Sequence, residues 1–216
     1  KFYDYPDKRL KMIGVTGTDG KTSTTTIIQT LIGSDICGYI GTNGRSCAKF
    51  SGDNPNTTPD AQNLYLYLDE FVGYGCKYVA MEASSEAFYR GRLQAMQFDV
   101  SAYTNVTSEH LNIHGTFENY LESKLMLFKQ TKKDGYSIIN SDDQYFDQVK
   151  NACNGNILTY GKGIENDLQI IDYQLYPTHT DIKFKYKTEE FSVNSPLMGD
   201  FNVYNLACGI LCTLAS

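Results

Sequence analysis

No stretch of this sequence approaches the uninterrupted apolar length of a membrane span. Its start, Lys1-Phe2-Tyr3-Asp4-Tyr5-Pro6, has neither the basic opening nor the apolar core of a signal peptide. These absences point to a cytoplasmic protein with no membrane partner. The lysines and arginines form no long block and the formal net charge is −6, so the basic footprint of a nucleic-acid binder is missing. A small anionic ligand held by a few well-placed cations is compatible with that charge. None of the six cysteines stands in a C-x-x-C pair, and Cys37, Cys47, Cys76, Cys153, Cys208 and Cys212 do not space out like a secreted disulfide framework. Cys208 and Cys212 share one face of an apolar helical segment and read as buried free thiols. Repeats and low-complexity segments are absent as well.

What is there suits one domain with at most a small appendage: 216 residues, 41% apolar and 20% charged. Lys11 to Thr16 reads as a buried strand, and Thr22 to Ile32 as a helix with Ile27, Ile28 and Leu31 on one face. From Gly33 to Pro59 the Gly, Asn, Ser and Thr content predicts a long loop region with short strand-like pieces such as Gly38-Tyr39-Ile40. A helix from Asp60 to Tyr74 follows, with Asp60 as its cap. Strands are expected at Tyr78–Met81, Phe98–Tyr103, Tyr136–Ile139 and Ile157–Tyr160. Helices are expected from Thr116 to about Gln130 and from about Asp143 to Ala152. After Leu168, Ile182, Phe184 and Tyr186 alternate with lysines, the period of a half-exposed antiparallel strand. The expected fold is α/β, a mainly parallel sheet flanked by helices in the manner of P-loop nucleotidases, with a small antiparallel meander before a last helix. That helix, from Phe201, is still in pattern at Ser216, and Lys1 is no initiator methionine, so the chain reads as an excised domain.

The strand at Lys11–Thr16, a Gly-rich turn and a helix stand in the order that phosphate binding requires. Glycines let several backbone N–H groups converge on one phosphate, and the helix N-terminus adds its partial positive charge. Within Gly17-Thr18-Asp19-Gly20-Lys21-Thr22, Lys21 can reach the β- and γ-phosphates of ATP and the Thr22 hydroxyl can ligate Mg²⁺. The general pattern G-x-x-x-x-G-K-[ST] fails at one position, where Val15 replaces its first glycine.

The failed position fits a variant loop. Thr16-Gly17-Thr18-Asp19-Gly20-Lys21-Thr22-Ser23 resembles T-G-T-x-G-K-T of the Mur ligase family, and four further segments follow in family order. Asn56-Thr57-Thr58-Pro59-Asp60 resembles T-T-P-D, and Met81-Glu82-Ala83-Ser84-Ser85 resembles M-E-V-S-S. Thr104 to Gly115 resembles T-N-L-x-x-D-H-L-D-x-H-G, and Leu197 to Asn205 resembles L-x-G-x-F-N-x-x-N. Within the family the likeness is to the MurE-type branch, which adds the third amino acid of the peptidoglycan stem peptide. The resemblance implies that residues 1–216 form a central ATPase domain, with the uridine-binding and amino-acid-binding domains absent from this chain.

The implied chemistry is ATP-dependent amide ligation. A carboxylate of a UDP-MurNAc dipeptide is phosphorylated to an acyl phosphate, and the amine of an amino acid displaces phosphate. Glu82, at a strand end, is the best Mg²⁺ ligand in the sequence. The spacing of His110 and His114 alone suggests zinc on a helix, but Gly115 directly follows and no H-E-x-x-H is present. The resemblance assigns His110 to a second Mg²⁺ and leaves His114 to orient a loop. Lys124, by its own surroundings of Glu118 and Glu122, reads as a solvated helix charge. The resemblance instead places it at the lysine that the family carbamylates with CO₂ to make a metal ligand. Nucleotide contacts are implied for Gly17, Thr18, Asp19, Gly20, Lys21, Thr22, Ser23 and, at the adenine, Asn205. Substrate contacts are implied for Thr57, Thr58, Ser84, Arg90 and Arg92, the arginines suiting carboxylates and diphosphate. Where the family commonly has His after Ser-Ser, this sequence has Glu86.

The implied protein acts as a monomer. The choice of lysine or diaminopimelate as third amino acid stays open, because it resembles a property of the C-terminal domain. Two other readings share the loop: a folylpolyglutamate-synthase-like ligase, and a P-loop regulator without ligase activity. Thr57-Thr58-Pro59-Asp60 and Ser84-Ser85 favour the muramoyl branch over the first. Glu82, His110 and Lys124 stand where the second would need a mobile γ-phosphate sensor.

Overall fold

Lys11-Met12-Ile13-Gly14-Val15-Thr16 is apolar on both faces, the composition of a central strand covered on each side by helices. The computed structural model describes residues 3–107, 109 and 111–216. It opens with β1 (Lys11–Thr16), α1 (Lys21–Ile32), β2 (Cys37–Gly41), β3 (Gly44–Cys47), β4 (Phe50–Gly52) and α2 (Ala61–Tyr74). There follow β5 (Tyr78–Glu82), α3 (Ser85–Tyr89), β6 (Phe98–Tyr103), α4 (Leu111–His114), α5 (Phe117–Lys129) and β7 (Thr131–Asn140). The chain closes with α6 (Phe146–Ala152), β8 (Asn156–Gly161), β9 (Leu168–Leu175), β10 (Thr180–Tyr186), β11 (Glu189–Ser195) and α7 (Asp200–Leu214).

The strands form one sheet in the order β11-β10-β9-β8-β7-β6-β1-β5-β2-β3-β4. From β2 to β9 every neighbouring pair in that order is parallel. The two ends are antiparallel hairpins, β2-β3-β4 and β9-β10-β11. The meander expected after Leu168 is therefore the antiparallel end of the main sheet, joined to it where Tyr160 pairs with Leu168.

Two apolar clusters cover the sheet. One packs Leu64, Leu68 and Phe71 of α2 and Leu127 and Phe128 of α5 on one face. The other packs Ile27 and Ile28 of α1 and Val203, Ala207 and Leu211 of α7 on the opposite face. Asp60 caps α2 by accepting from Asn63 N at 2.9 Å, and Thr116 caps α5 by accepting from Asn119 N at 3.2 Å. Each satisfies a backbone donor that the first helical turn leaves open. Cys208 and Cys212 are buried free thiols, as read. No helix among the described residues is long and apolar enough to cross a membrane.

Within residues 33–59 the strand-like piece Gly38-Tyr39-Ile40 is the middle of β2, while β3 and β4 depart from the expected loop. β2 is buried along its whole length and pairs in parallel with β5, and Thr42-Asn43 turns it into β3. Strands of three to five residues rich in Gly and Ser carry too few apolar positions for a period to emerge. α6 is shorter than expected, starting at Phe146, and α3 was not foreseen.

β1 lies between β5 and β6, the point where strand order reverses. In open α/β sheets the crevice at the carboxyl ends of strands at such a point is where ligands bind. Register there sets Val15 beside Glu82 and Thr16 beside Tyr103.

Candidate active site

The turn after β1 is pinned from the end of β6. Thr18 N donates to Asn105 O at 2.8 Å and Asp19 N to Asn105 Oδ1 at 3.0 Å. Thr104 Oγ1 donates to Asp19 O at 2.6 Å. With its own proton on Thr107 O, Thr18 Oγ1 receives Thr107 N–H at 2.9 Å and the Tyr120 hydroxyl at 3.0 Å. Gly20 precedes α1 at φ 81 and offers no side-chain cap, so the first N–H groups of the helix face outward past a residue without a Cβ. A Cβ there would run into the Asn205 amide.

Two lysines converge on this turn. Lys21 Nζ donates to Gly17 O at 2.9 Å and Thr18 O at 2.6 Å, and Lys124 Nζ donates to the same Gly17 O at 2.7 Å. The Lys124 side chain also lies over the Tyr120 ring, its Nζ 4.4 Å from the centroid. Lys124 is only 2% exposed, which overturns its reading as a solvated charge. α5 supplies the reason: with Tyr120 and Leu127 it turns Lys124 inward, onto the sheet. Burial pushes the Lys124 amine well below the ordinary lysine value, and the charge of Lys21 pushes it further; Glu109 and Asp19 oppose. Burial lowers Lys21 too, against the raising pull of Glu82, Asp19 and Glu109.

Glu82 ends β5 fully buried. Its Oε1 accepts from the Tyr39 hydroxyl at 2.9 Å and Thr42 N at 2.9 Å, and its Oε2 from Thr42 Oγ1 at 3.2 Å. Burial, then the Glu82 charge, pushes the Tyr39 phenol up. Among the described residues no group of three or more His, Cys, Asp or Glu side chains could hold a metal ion. Glu82, a single carboxylate at the end of β5, fits Mg²⁺ carried on phosphate, which takes one or two carboxylates and keeps its other ligands as phosphate oxygens and water. Glu82 and the Thr22 hydroxyl would be its protein ligands. His110 lies outside the described residues.

A cavity of about 650 Å³ opens on one side of the turn, lined by Asp19, Gly20, Ser23, Asn105, Tyr204 and Asn205 among others. Asn205 is 4% exposed rather than a helix-surface amide. Its Oδ1 accepts from Thr24 Oγ1 at 3.5 Å and its Nδ2 donates to Asn202 Oδ1 at 3.0 Å, tying α7 to α1.

On the other side lies a cavity of about 350 Å³ whose lining includes Lys21, Thr57, Thr58, Ser84, Arg92 and Lys124. Thr58 holds it together, donating to Glu82 O at 2.7 Å and accepting from Ser84 N at 3.0 Å. Ser84 caps α3 through Ala87 N at 3.2 Å. Arg92 donates to Thr58 O at 3.0 Å. Arg90 does not line this cavity; it is exposed and pairs with Glu86.

α4 is a single turn that ends at His114. The buried His114 ring lies 3.2 Å from Ser85 Oγ through Nε2 and 3.4 Å from Ser123 Oγ through Nδ1. It is flanked by the rings of Tyr89 and Tyr120. The ring thus ties α3 to α5.

Sequence reasoning passed over Thr42 and Tyr120, met Tyr39 only within a strand-like piece, and marked Glu86 as a departure from the family without giving it a role. Tyr120 stands four residues before Lys124, a spacing that places the two on one helix face and could have singled it out. Tyr39 and Thr42 fall in the segment read as a loop region, where no signal marked them as donors to Glu82.

Residues 15–213 match the family described as the Mur ligase middle domain. The chain is 38% identical over 207 residues to the UDP-N-acetylmuramoyl-L-alanyl-D-glutamate–2,6-diaminopimelate ligase of Fusobacterium nucleatum, covering 94% of this chain and 42% of that protein. It is 33% identical over 218 residues to the corresponding L-lysine ligase of Staphylococcus haemolyticus, covering 97% and 44%. Among solved structures, a UDP-N-acetylmuramoyl-L-alanyl-D-glutamate–2,6-diaminopimelate ligase superposes with a TM-score of 0.86 at 32% identity, covering 95% of this chain and 43% of that one. The chain thus spans less than half the length of these relatives.

Proposed function

This chain belongs to the Mur ligase family, and from that premise we propose that it is the central ATP-binding domain of a ligase acting on UDP-MurNAc-L-Ala-D-Glu. The protein would activate the D-Glu side-chain carboxylate for addition of the third stem-peptide amino acid in cytoplasmic peptidoglycan synthesis. The observation that carries this reading is the convergence of Lys21 and Lys124 on Gly17 O, between two cavities. ATP fits the larger cavity with its phosphates over the Gly17–Ser23 turn and its adenine toward Asn205. The acid fits the smaller one, among Thr57, Thr58, Ser84 and Arg92.

Phosphorylating a carboxylate brings two anions together, so cations at the meeting point lower the barrier. Lys21, folded over the turn onto Gly17 O and Thr18 O, would meet the terminal phosphate. The carboxylate attacks the γ-phosphorus and ADP leaves. The amine then adds to the acyl phosphate, and phosphate departs from the tetrahedral intermediate. Mg²⁺, when bound, offsets charge on the transferring phosphoryl group. Glu82 and Thr22 would hold it with His110 and Lys124, two ions in all. Lys124 as an amine cannot serve as an anionic ligand; its neutral form can add to CO₂, giving a carbamate and a proton. Burial beside Lys21 supports the neutral form.

The test is phosphate release from ATP by the full-length protein. Release that requires both UDP-muramoyl dipeptide and an amino acid is expected, with the 216-residue chain alone binding Mg-ATP weakly and forming no product. Release driven by a folate instead would transfer the reading to the folylpolyglutamate branch. Nucleotide binding with no acid-dependent turnover would favour a regulator.

A further inference from the structure

The smaller cavity is lined by Lys21, Arg92 and Lys124, and Glu86 is the carboxylate in its lining. Glu86 sits in the first turn of α3, and its Oε1 accepts from Arg90 Nε, one helical turn on, at 2.7 Å. The same oxygen is 3.6 Å from Arg92 NH2, too far for a hydrogen bond. Arg92 is anchored by its other terminal nitrogen, NH1, on Thr58 O at 3.0 Å. Its guanidinium thus presents its remaining donors between the cavity and a carboxylate that is already in place.

A guanidinium has five donors in a planar fork, and a carboxylate pairs best by taking two of them at once. An acid entering the cavity would need the edge of Arg92 that Glu86 faces. Were Glu86 free to close the gap, it would occupy that edge itself. Arg90 draws it the other way: the short bond is to Arg90 and the long one to Arg92. Arg90 is itself outside the cavity, so its influence on a ligand runs through Glu86.

We infer that Glu86 is a resident counter-anion in the acid site, that Arg90 is a positioning residue tethering it off Arg92, and that this balance sets how tightly the cavity holds a dicarboxylate ligand. The inference rests on the acid-site reading proposed above. It assigns Arg90 an indirect role and gives Glu86 a negative one, as a carboxylate that competes with the substrate.

The signs of the variants follow. In the full-length protein Glu86→Gln lowers KM for UDP-muramoyl dipeptide by about 3- to 10-fold, the range expected for removing a like charge one side-chain length away in a partly solvated site. Arg90→Met raises KM by about twofold, matching the small worth of an i,i+4 ion pair on an exposed helix. The double variant follows Glu86→Gln, because Arg90 has nothing left to hold. All differences shrink when ionic strength rises from about 0.05 to about 0.5 M, which a purely structural role would not produce. A KM that rises or stays put in Glu86→Gln, or a double variant that follows Arg90→Met, overturns the inference. If the wild-type protein shows no acid-dependent turnover, the proposed function fails instead. The inference is then read on binding of N-acetyl-D-glutamate, measured by calorimetry, with the same order of dissociation constants expected and the reverse order overturning it.

Discussion

The carbonyl of Gly17 receives two lysines, Nζ of Lys21 at 2.9 Å and Nζ of Lys124 at 2.7 Å. Two full positive charges on one acceptor repel, and Lys124 has almost no water to screen them. The fold therefore pushes the Lys124 amine well below the ordinary lysine value, through burial first and the Lys21 charge second. This relationship joins the turn after β1 to the smaller cavity beside α5, and several outcomes depend on it.

The first is a pH dependence of stability. Lys124 titrates lower in the folded chain than in the unfolded one, so between the two values the unfolded chain binds more protons. Stability then rises with pH through that window, by at most about 1.4 kcal/mol per pH unit, until the ordinary lysine value is reached. Lys124→Met removes the contribution. Thermal unfolding of the two chains from about pH 7 to 10 should show wild type gaining on the variant as pH rises. A constant difference between them would count against a buried, uncharged amine.

The second concerns what the amine becomes. Lys124→Ala in the full-length protein should abolish acid-dependent phosphate release, and a short carboxylic acid supplied in solution should restore part of it. The added acid would fill the space of the lost side chain with the anionic oxygen that a carbamate provides. Full activity in the variant, indifferent to bicarbonate and to acids, would rule the carbamate out.

The third isolates Tyr120. Its hydroxyl donates to Thr18 Oγ1 at 3.0 Å, while its ring lies under Lys124. Tyr120→Phe removes the bond and keeps the ring. Losing one hydrogen bond that positions the phosphate turn costs about 1 kcal/mol, or roughly fivefold in affinity. Calorimetric titration with Mg-ADP should show that weakening. An unchanged dissociation constant would mean that Thr107 and Asn105 suffice to hold Thr18 in place.

Much of this site was legible in the sequence because its parts are short, contiguous and dictated by backbone geometry. The strand, turn and helix around Gly17 to Ser23 show in the residues themselves, and the apolar run before Glu82 places that carboxylate at a strand end. Lys124 was not legible by its neighbours, since Glu118 and Glu122 give α5 the look of a solvated helix. Its burial comes from the packing of α5 on the sheet, which only tertiary structure records. The same holds for Asn205, whose burial shows only once α7 is seen against α1. β3 and β4 escaped because such short Gly- and Ser-rich strands take their pairing in turn from β2. Tyr39 and Thr42 went unnoticed as the donors to Glu82.

Those donors shape the fourth expectation. Glu82 is buried at the end of β5, and its charge is met by the Tyr39 hydroxyl, Thr42 N and Thr42 Oγ1. Glu82→Gln keeps an acceptor for Tyr39 and Thr42 N, and the Thr42 hydroxyl can rotate to accept from the new amide. The fold should therefore survive with a loss of about 1–2 kcal/mol. Catalysis should not. Without the carboxylate the site loses its one formally anionic protein ligand at β5, and phosphate release should fall by about 100-fold or more, on the scale of deleting a group that stabilises transition-state charge. Glu82→Asp, one methylene shorter but still charged, should retain more activity and need higher Mg²⁺ for half-maximal rate. Thermal unfolding and Mg²⁺ titration of phosphate release separate these effects. Should Glu82→Gln keep wild-type rate and Mg²⁺ dependence while staying folded, Glu82 would be a structural anchor for the β2–β3 turn and the metal would be held elsewhere.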